Sequence, residues 1–490
     1  MRLSVSNKIA HLFTVVLFPL FILLQSSLAP YANKLPNPDS GVFMYCANKI
    51  TNGSLIYKDV FDHKGPVIYL FHILGLHLLN GDLLGIWLLE LLFLIVTAIF
   101  LYKTAFLITA DRWLSYPVTI YSLLLLAPSL DNASGYSREI LLPFISTSLY
   151  CYVKSFYHDC RMPVREIISV AFCCTMCLLM LPNTISLWVV FSLVLICHQL
   201  YKKEYGEFFR YSTCFIVMVV VTAAPFILYA STHNILSDAL YCIWTFNALY
   251  SDVSAFSIAK GVYVTLKNLD VGYATLIMMG YLWSVFYRWG KLQNRGLHIG
   301  IILSCLLSVV LGCAWSGRDY RPYTIVCMPL VCVNLAYVVA FIECHFKVKK
   351  VTVAVVLLVM SWQLVAYQGH YIRLAYERSD ETLNLVTIIK NNSNAADKIA
   401  IVGNDSQLYL LSNRSSMSKY HFTWPIFDSA KLTKELWGNY GNEILNVRPK
   451  LILVNNILYP KLPENIAGVL REKYKVIYSG VSAYDLYKYN

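Results

Sequence analysis

The sequence predicts a polytopic α-helical membrane protein with about eleven transmembrane helices and a C-terminal extracytoplasmic α/β domain. Three observations carry that expectation. Of the 490 residues, 57% are hydrophobic and only 14% charged, with a mean hydropathy of +0.55; a soluble globular chain is closer to about a quarter charged. The apolar residues come in runs long enough to cross a bilayer. After Tyr371 those runs give way to short alternating segments of ordinary polarity.

The apolar runs place spans near 9–30, 84–107, 113–128, 140–154, 166–182, 184–200, 212–230, 270–287, 298–315, 323–342 and 351–370. The first reads as a retained helix rather than a cleaved signal peptide, since it is long enough to span and later spans anchor the chain anyway. Pro182-Asn183-Thr184 interrupts residues 166–200. Proline removes a helix donor, so the run is read as two short spans joined by a tight turn. Lys and Arg set the orientation. Arg2 and Lys8, Lys103 and Arg112, Lys154 to Arg165, Lys202 to Arg210, Arg288 to Arg295 and Lys347 to Lys350 fall on one side, assigned to the cytoplasm. An odd number of spans then puts the C-terminus outside; a single bent span over 166–200 would put it inside. The same distribution argues against a nucleic-acid partner for the net charge of +12, because the basic residues sit in short loops between apolar runs. Most cysteines lie in apolar runs, where they pack as small hydrophobes. The Cys173, Cys174, Cys177 cluster lacks a second metal-ligand pair. No cysteine follows Cys344, so the tail has no disulfide framework.

The chain divides into a transmembrane domain, 1–370, and a periplasmic α/β domain, 371–490. In the tail, 379–390 (SDETLNLVTIIK) reads as a capped helix. KIAIVG, LYLLS, KLILVNN, KVIYS and AYDLYKY read as strands, and PENIAGVLREKY as a helix with Pro in its first turn. About 120 residues suffice to bury a core. Between the first two spans, 31–65 form a long loop. Residues 66–80 (PVIYLFHILGLHLLN) are too short to span and read as an amphipathic interfacial helix. Residues 231–268 form a second external segment, whose Tyr241, Trp244, Phe246 and Tyr250 are what an aromatic belt supplies.

The first loop, within 31–80, gathers Asp39, Asp59, Asp62, His63 and Lys64, punctuated by Gly41, Gly53, Gly65 and Pro66. VFMYCANKI inside it has helical spacing. A loop that only joins two helices is usually short, although spacing alone is also met by a solvated loop with surface charges. From Asp39 to Phe71 the chain resembles the membrane glycosyltransferases of the GT-C superfamily. More narrowly it resembles the bacterial branch of lipid A aminoarabinose transferases and protein O-mannosyltransferase-like enzymes. Those carry an Asp soon after the first span, then G-x-x-x-Y-x-D-x-F-x-x-K-x-P before an interfacial helix. Here the stretch is Gly53-Ser-Leu-Ile-Tyr57-Lys-Asp59-Val-Phe61-Asp-His-Lys64-Gly-Pro66. Gly65 stands where the family commonly has a first Pro. The resemblance extends more weakly over the whole chain.

The resemblance implies a GT-C-like fold and an inverting, single-displacement transfer of a sugar from undecaprenyl phosphate to a periplasmic acceptor hydroxyl. A hydroxyl is a weak nucleophile, so a carboxylate must take its proton; Asp39 matches the family base. The leaving group is a lipid phosphate, so a cation must meet its growing charge; Lys64 matches that lysine. Tyr57, Asp59, His63 and Pro66 complete the loop motif. Glu139, with Arg138 beside it, matches an acidic family position at the start of a span. A helix-start carboxylate favoured by the macrodipole, worth up to about 1 kcal/mol, is the plain alternative. Arg318 and Arg321 lie at another external span entrance, against the positive-inside bias, and match a phosphate contact; snorkelling to headgroups is their plain alternative. One His among carboxylates does not make a metal site, so no cofactor is assigned and a divalent ion is left open. The implied partners are a polyprenyl-phosphate-linked sugar, a glycan or lipid-linked glycan acceptor and the bilayer, and the implied location is a bacterial inner membrane. O-antigen or another envelope polysaccharide is the specific acceptor expected; protein O-glycosylation or lipid A modification would use the same chemistry. A transporter or lipid flippase would instead gather ionisable groups mid-membrane, where Glu90 is the main one.

Overall fold

The computed structural model describes residues 5–32, 35–124, 126, 135, 137–250, 259–263, 301, 304, 305, 307, 308, 321–346, 380–427, 430–479 and 483–490. Helix α1 (Val5–Leu12) runs through a π turn (Phe13–Leu17) into α2 (Phe18–Leu23). Then come α3 (Pro38–Thr51), α4 (Val67–Leu78), α5 (Leu84–Thr109), α6 (Arg112–Leu124) and α7 (Ser137–Tyr157). They are followed by α8 (Val164–Leu178), α9 (Ser186–Tyr201) and α10 (Tyr205–Thr232). Short helical turns fill residues 236–250, and a 3-10 turn (Arg321–Cys327) leads into α11 (Met328–Phe346). Among the described residues, Leu84–Thr109, Pro182–Tyr201 and Tyr205–Thr232 are long and apolar enough to cross a membrane. The expected spans 270–287 and 351–370 lie outside the described residues, as does most of 298–315.

The helices share two ends. At one end α8 and α9 turn back on each other: Pro182 opens a 3-10 turn (Pro182–Ile185), and Gln199 at the far end of α9 donates to the Cys160 carbonyl at 2.9 Å, just before α8. The run 166–200 is therefore a hairpin, as the proline predicts. The end that holds Cys160 and Gln199 collects the charges. Lys154 meets Glu166 at 2.5 Å, Arg161 meets Glu204 at 2.7 Å, and Arg210 pairs with Glu207. The opposite end holds the 31–80 segment. Trp87 at the start of α5 donates to the Leu23 carbonyl at 2.9 Å, and Gly65 N–H donates to Met180 O, after α8, at 3.0 Å.

Helix α4 is the short helix expected over 66–80. Val67, Ile68 and Phe71 are buried, yet the outward stripe is leucine: Leu70, Leu74 and Leu78 are 44%, 63% and 53% exposed. Apart from the exposed His77, the outward side is apolar, which suits a helix packed on protein on one side and on hydrocarbon on the other.

In the tail, a helix over 380–392 precedes a five-stranded mixed sheet of order β2-β1-β3-β5-β4. The strands are β1 (Lys398–Val402), β2 (Ser415–Ser416), β3 (Leu451–Asn455), β4 (Tyr474–Tyr478) and β5 (Tyr484–Tyr489). β2, β1 and β3 pair in parallel, while β5 pairs antiparallel with β3 and β4. Every β3 residue is buried, as the continuous apolar run of a strand covered on both faces requires. LYLLS is not the expected strand. It lies in helix α12 (Gln407–Ser412), ended by Asn413 at φ +55°. A short apolar run carries no period long enough to separate helix from strand; here Leu408, Tyr409 and Ser412 are buried, and the helix packs against α3. Helix α13 (Ala430–Val447) was not expected from the sequence, and Pro463 caps α14 (Glu464–Lys473) rather than lying inside its first turn.

Candidate active site

Asp39 occupies the first turn of α3. Asn37 caps that helix, its Oδ1 accepting from Ser40 N–H at 2.9 Å, and Pro38 opens it with a preset φ. The carboxylate is thus held at the positive end of a helix dipole. It is exposed, and Asn404 Nδ2 of the C-terminal domain donates to its Oδ1 at 3.2 Å.

Residues 54–66 wind into a knot between α3 and α4. Asp59 Oδ2 accepts from Leu55 N–H at 2.8 Å and its own N–H donates to Leu55 O at 2.8 Å, so this exposed carboxylate closes a turn. Tyr57 sits in the left-handed region at φ +74°, where its buried hydroxyl donates to the Lys64 carbonyl at 2.9 Å. Asp62 is buried and accepts from Tyr69 Oη at 2.9 Å and from His63 N–H at 2.6 Å. Burial pushes its carboxyl up to about 6, against the opposing pull of the Lys64 ammonium. Lys64 Nζ lies 3.0 Å from His63 Nε2, while His63 Nδ1 lies 3.5 Å from Asp62 Oδ1. An ammonium can only donate, so Nε2 is the acceptor and the ring carries its proton on Nδ1, facing the carboxylate. Lys64, His63 and Asp62 thus lie in a row, with the His63 ring between the ammonium and the carboxylate. Pro66 then leads into α4. A Cβ at Gly65 would fall 2.0 Å from Leu179 O, so the chain here passes against the end of α8 as only glycine allows.

Glu139 is buried in the first turn of α7 and, with Glu90, Phe93, Leu94 and Ile140, lines a narrow crevice. Gly135, just before α7, has φ +82° and lies against Ser40, the neighbour of Asp39, and against His72 of α4. The chain just before α7 therefore touches the start of α3 at Ser40. Arg138 is half-buried beside Glu139. Arg318 lies outside the described residues. Arg321 begins the 3-10 turn that packs against α7, and its side chain is outside the described part.

Several residues that sequence reasoning passed over surround this site. Phe246 and Tyr250, expected as belt aromatics, instead face the His63 ring with centroids at 5.5 Å and 5.7 Å, and Phe422 of the tail adds a third at 6.3 Å. Trp244 and Tyr241 stay exposed, as a belt requires. Asn247 donates to the His63 carbonyl at 2.7 Å. From the tail, His421 Nε2 donates to Phe61 O at 3.1 Å and its Nδ1 accepts from Ser406 Oγ at 2.8 Å. Burial drives the His421 ring down to about 3, so it stays neutral in this role. The only signal for these partners was aromatic and polar composition, which says nothing of what a side chain meets. His63 is engaged by Lys64 and Asp62, and among the described residues no three His, Cys, Asp or Glu side chains gather as a metal-binding group.

Two family models match the chain, "Putative competence-induced protein Ccs4 N-terminal domain" over residues 2–354 and "Putative competence-induced protein Ccs4 C-terminal domain" over 379–490. No curated protein matches it. ArnT from Cupriavidus metallidurans bound to undecaprenyl phosphate is similar at TM-score 0.62 and 11% identity, over 99% of this chain and 98% of that one. The same ArnT in its apo state gives 0.57 and 12%, over 92% and 93%. The Archaeoglobus fulgidus oligosaccharyltransferase in its apo form gives 0.50 and 10%, over 93% of this chain and 71% of that one. At such identities the likeness is one of fold alone, the fold that these ArnT and oligosaccharyltransferase chains share.

Proposed function

Because the chain belongs to the competence-induced Ccs4 protein family and has the GT-C fold, we propose that it is an inverting glycosyltransferase that uses a sugar on undecaprenyl phosphate. What supports this reading is that Asp39 and Lys64 both lie within electrostatic reach of the buried Asp62, beside an interfacial segment. Asp39 opens α3, Lys64 ends the knot before α4, and Gly135, just before the α7 that carries Glu139, touches Ser40. In the reaction the acceptor oxygen bonds to the anomeric carbon as the bond from that carbon to the phosphate oxygen breaks. Asp39 takes the hydroxyl proton, and the electron pair leaves on the lipid phosphate, facing the Lys64 ammonium. Glu139, Arg138, Arg318 and Arg321 are assigned to the same site, the acid beside the acceptor and the arginines towards the phosphate. The acceptor in this reading is a cell-surface glycan or its lipid-linked precursor, such as O-antigen.

The reading places the protein in a bacterial inner membrane with about eleven spans, a cytoplasmic N-terminus and a periplasmic domain from about residue 371. Parity supports the count. The chain is at the loop end at Asn247, which touches His63, and the 3-10 turn at Arg321 packs against α7, whose start lies at that same end. Tyr337 Oη then lies 3.4 Å from Tyr157 Oη near the charged end, and the tail returns to the loop end, where Asn404 meets Asp39. Spans at 270–287, 298–315 and 351–370 satisfy both passages.

Asp39→Asn tests the reading. An amide keeps the shape and cannot take the proton. Mass analysis of envelope glycans should show the gene-dependent product gone while the protein still inserts. Retention of more than about a tenth of wild-type transfer sinks the assignment of Asp39 as base.

A further inference from the structure

We infer that Asn404 of the C-terminal domain is a positioning residue for Asp39, so that the active site is completed by both domains. The inference rests on the glycosyltransferase reading and deepens it. One face of α3 is docked along the tail from end to end. Asn404 Nδ2 reaches Asp39 Oδ1 at 3.2 Å, Tyr45 Oη accepts from Ser416 N–H at 2.9 Å, and Lys49 Nζ donates to Ser415 Oγ at 2.8 Å. Asp39, Tyr45 and Lys49, together with Cys46 against His421 at 3.5 Å, recur at helical spacing. At Gly41 the approach is closest: an added Cβ would sit 2.8 Å from Gln407 Cβ. The helix therefore cannot slide or roll on the domain without breaking several contacts, and its first residues, Asp39 among them, are fixed against the carboxyl end of β1.

Asn404 itself is offered from a backbone held on both sides. The Gly403 carbonyl accepts from Thr423 N–H at 2.8 Å. The Asp405 carboxylate accepts from Tyr484 Oη, and from Gln407 Nε2 at 2.7 Å. An amide so held can direct one carboxylate oxygen and leave the orientation of the other set for an incoming hydroxyl. It is also the right group for the place: a second carboxylate at that distance would repel the base. In open α/β sheets the carboxyl ends of the parallel strands, where neighbouring connections diverge, are where ligands sit. Here β1 lies between β2 and β3, and its carboxyl end carries Asn404.

The test compares Asn404→Ala, Asn404→Asp, Asp39→Asn and the exchanged pair Asp39→Asn with Asn404→Asp in the full-length membrane protein. Two quantities are read: the gene-dependent envelope glycan by mass spectrometry, and the protease resistance of the C-terminal domain. Asn404→Ala is expected to cut transfer by about tenfold or more, as misplacement of a reacting group does, with protease resistance unchanged. Asn404→Asp should cut transfer further. The exchanged pair restores one amide–carboxylate contact but leaves an amide at position 39, so it should keep protease resistance and show no transfer. Transfer by Asn404→Ala within about twofold of wild type overturns the inference. So does joint loss of transfer and protease resistance in Asn404→Ala, or recovery of transfer in the exchanged pair, since either makes the contact structural. If Asp39→Asn alone still transfers, the assignment of Asp39 as base fails, and if the wild-type protein yields no gene-dependent glycan, the glycosyltransferase reading itself fails, whatever Asn404 does.

Discussion

Asp62 and Lys64 set what a single side chain contributes here. Burial holds the Asp62 proton to about 6, against 3.8 for the ordinary group. Below the ordinary value both folded and unfolded forms carry the proton, and ionisation contributes nothing. As pH rises between the two values the unfolded form loses its proton first, so stability falls, by roughly 3 kcal/mol in all, and stays at that lower level above. Asp62→Asn keeps an acceptor for Tyr69 and should flatten this slope, as read from melting temperatures of the detergent-purified protein between pH 4 and pH 6.5 (roughly the same window). Lys64 is both the counter-charge of Asp62 and the proposed phosphate contact. Lys64→Ala should lower use of an undecaprenyl-phosphate-linked sugar by on the order of 10²-fold. Unchanged kinetics with the purified donor would remove Lys64 from the site. The Asp39→Asn experiment belongs to the same scale, because there one proton acceptor decides the outcome.

Between residues and molecule, the elements hold the site by close backbone approach. The 54–66 knot is tied to α8 by Gly65 N–H on Met180 O at 3.0 Å and Val67 N–H on Leu179 O at 3.3 Å. Gly65→Ala would drive a methyl into the Leu179 carbonyl, a backbone atom that cannot turn aside. The knot must then lift, moving Lys64 and α4 together. Melting temperature and transfer should both fall, with a stability loss of about 1–3 kcal/mol, the usual range for overpacking. A Gly65→Ala protein that melts and transfers like wild type would show that the knot does not lean on α8. The departure from Lys-Pro-Pro at this position thus has a physical reason in this chain, since a proline ring brings a Cβ and removes the donor to Met180.

At the scale of the whole molecule, contacts place the tail beside the first loop. Phe61 N–H donates to Lys419 O at 3.0 Å and His421 closes on Phe61 O at 3.1 Å, so the C-terminal domain shares the face of the first loop. The Gln199–Cys160 bond brings the two ends of 160–199 together as a hairpin, and in the proposed topology that hairpin counts as two spans. Reporter fusions at Arg378 and Lys203 should accordingly report opposite compartments, the second cytoplasmic. An active cytoplasmic reporter at Arg378 would overturn the topology.

The sequence by itself determined a largely helical, apolar body, the hairpin at Pro182, the helix within VFMYCANKI and most strands of the tail, whereas the loop from Asp39 to Pro66 was marked out by its resemblance to a family. The former are matters of composition, period and local covalent geometry, which a chain carries wherever it folds. It could not settle LYLLS, whose apolar run fits helix and strand alike until Leu408 and Tyr409 are buried beside α3. Nor could it show that Asp62 lies buried with Tyr69, that Phe246 and Tyr250 enclose His63, or that Asn404 reaches Asp39 across 365 positions of chain. Those pairings arise only when separate elements pack, because burial and partner are properties of neighbours in space. Tertiary structure alone decided which of the loop's charges are surface groups, as Asp59 is, and which are held against a second domain.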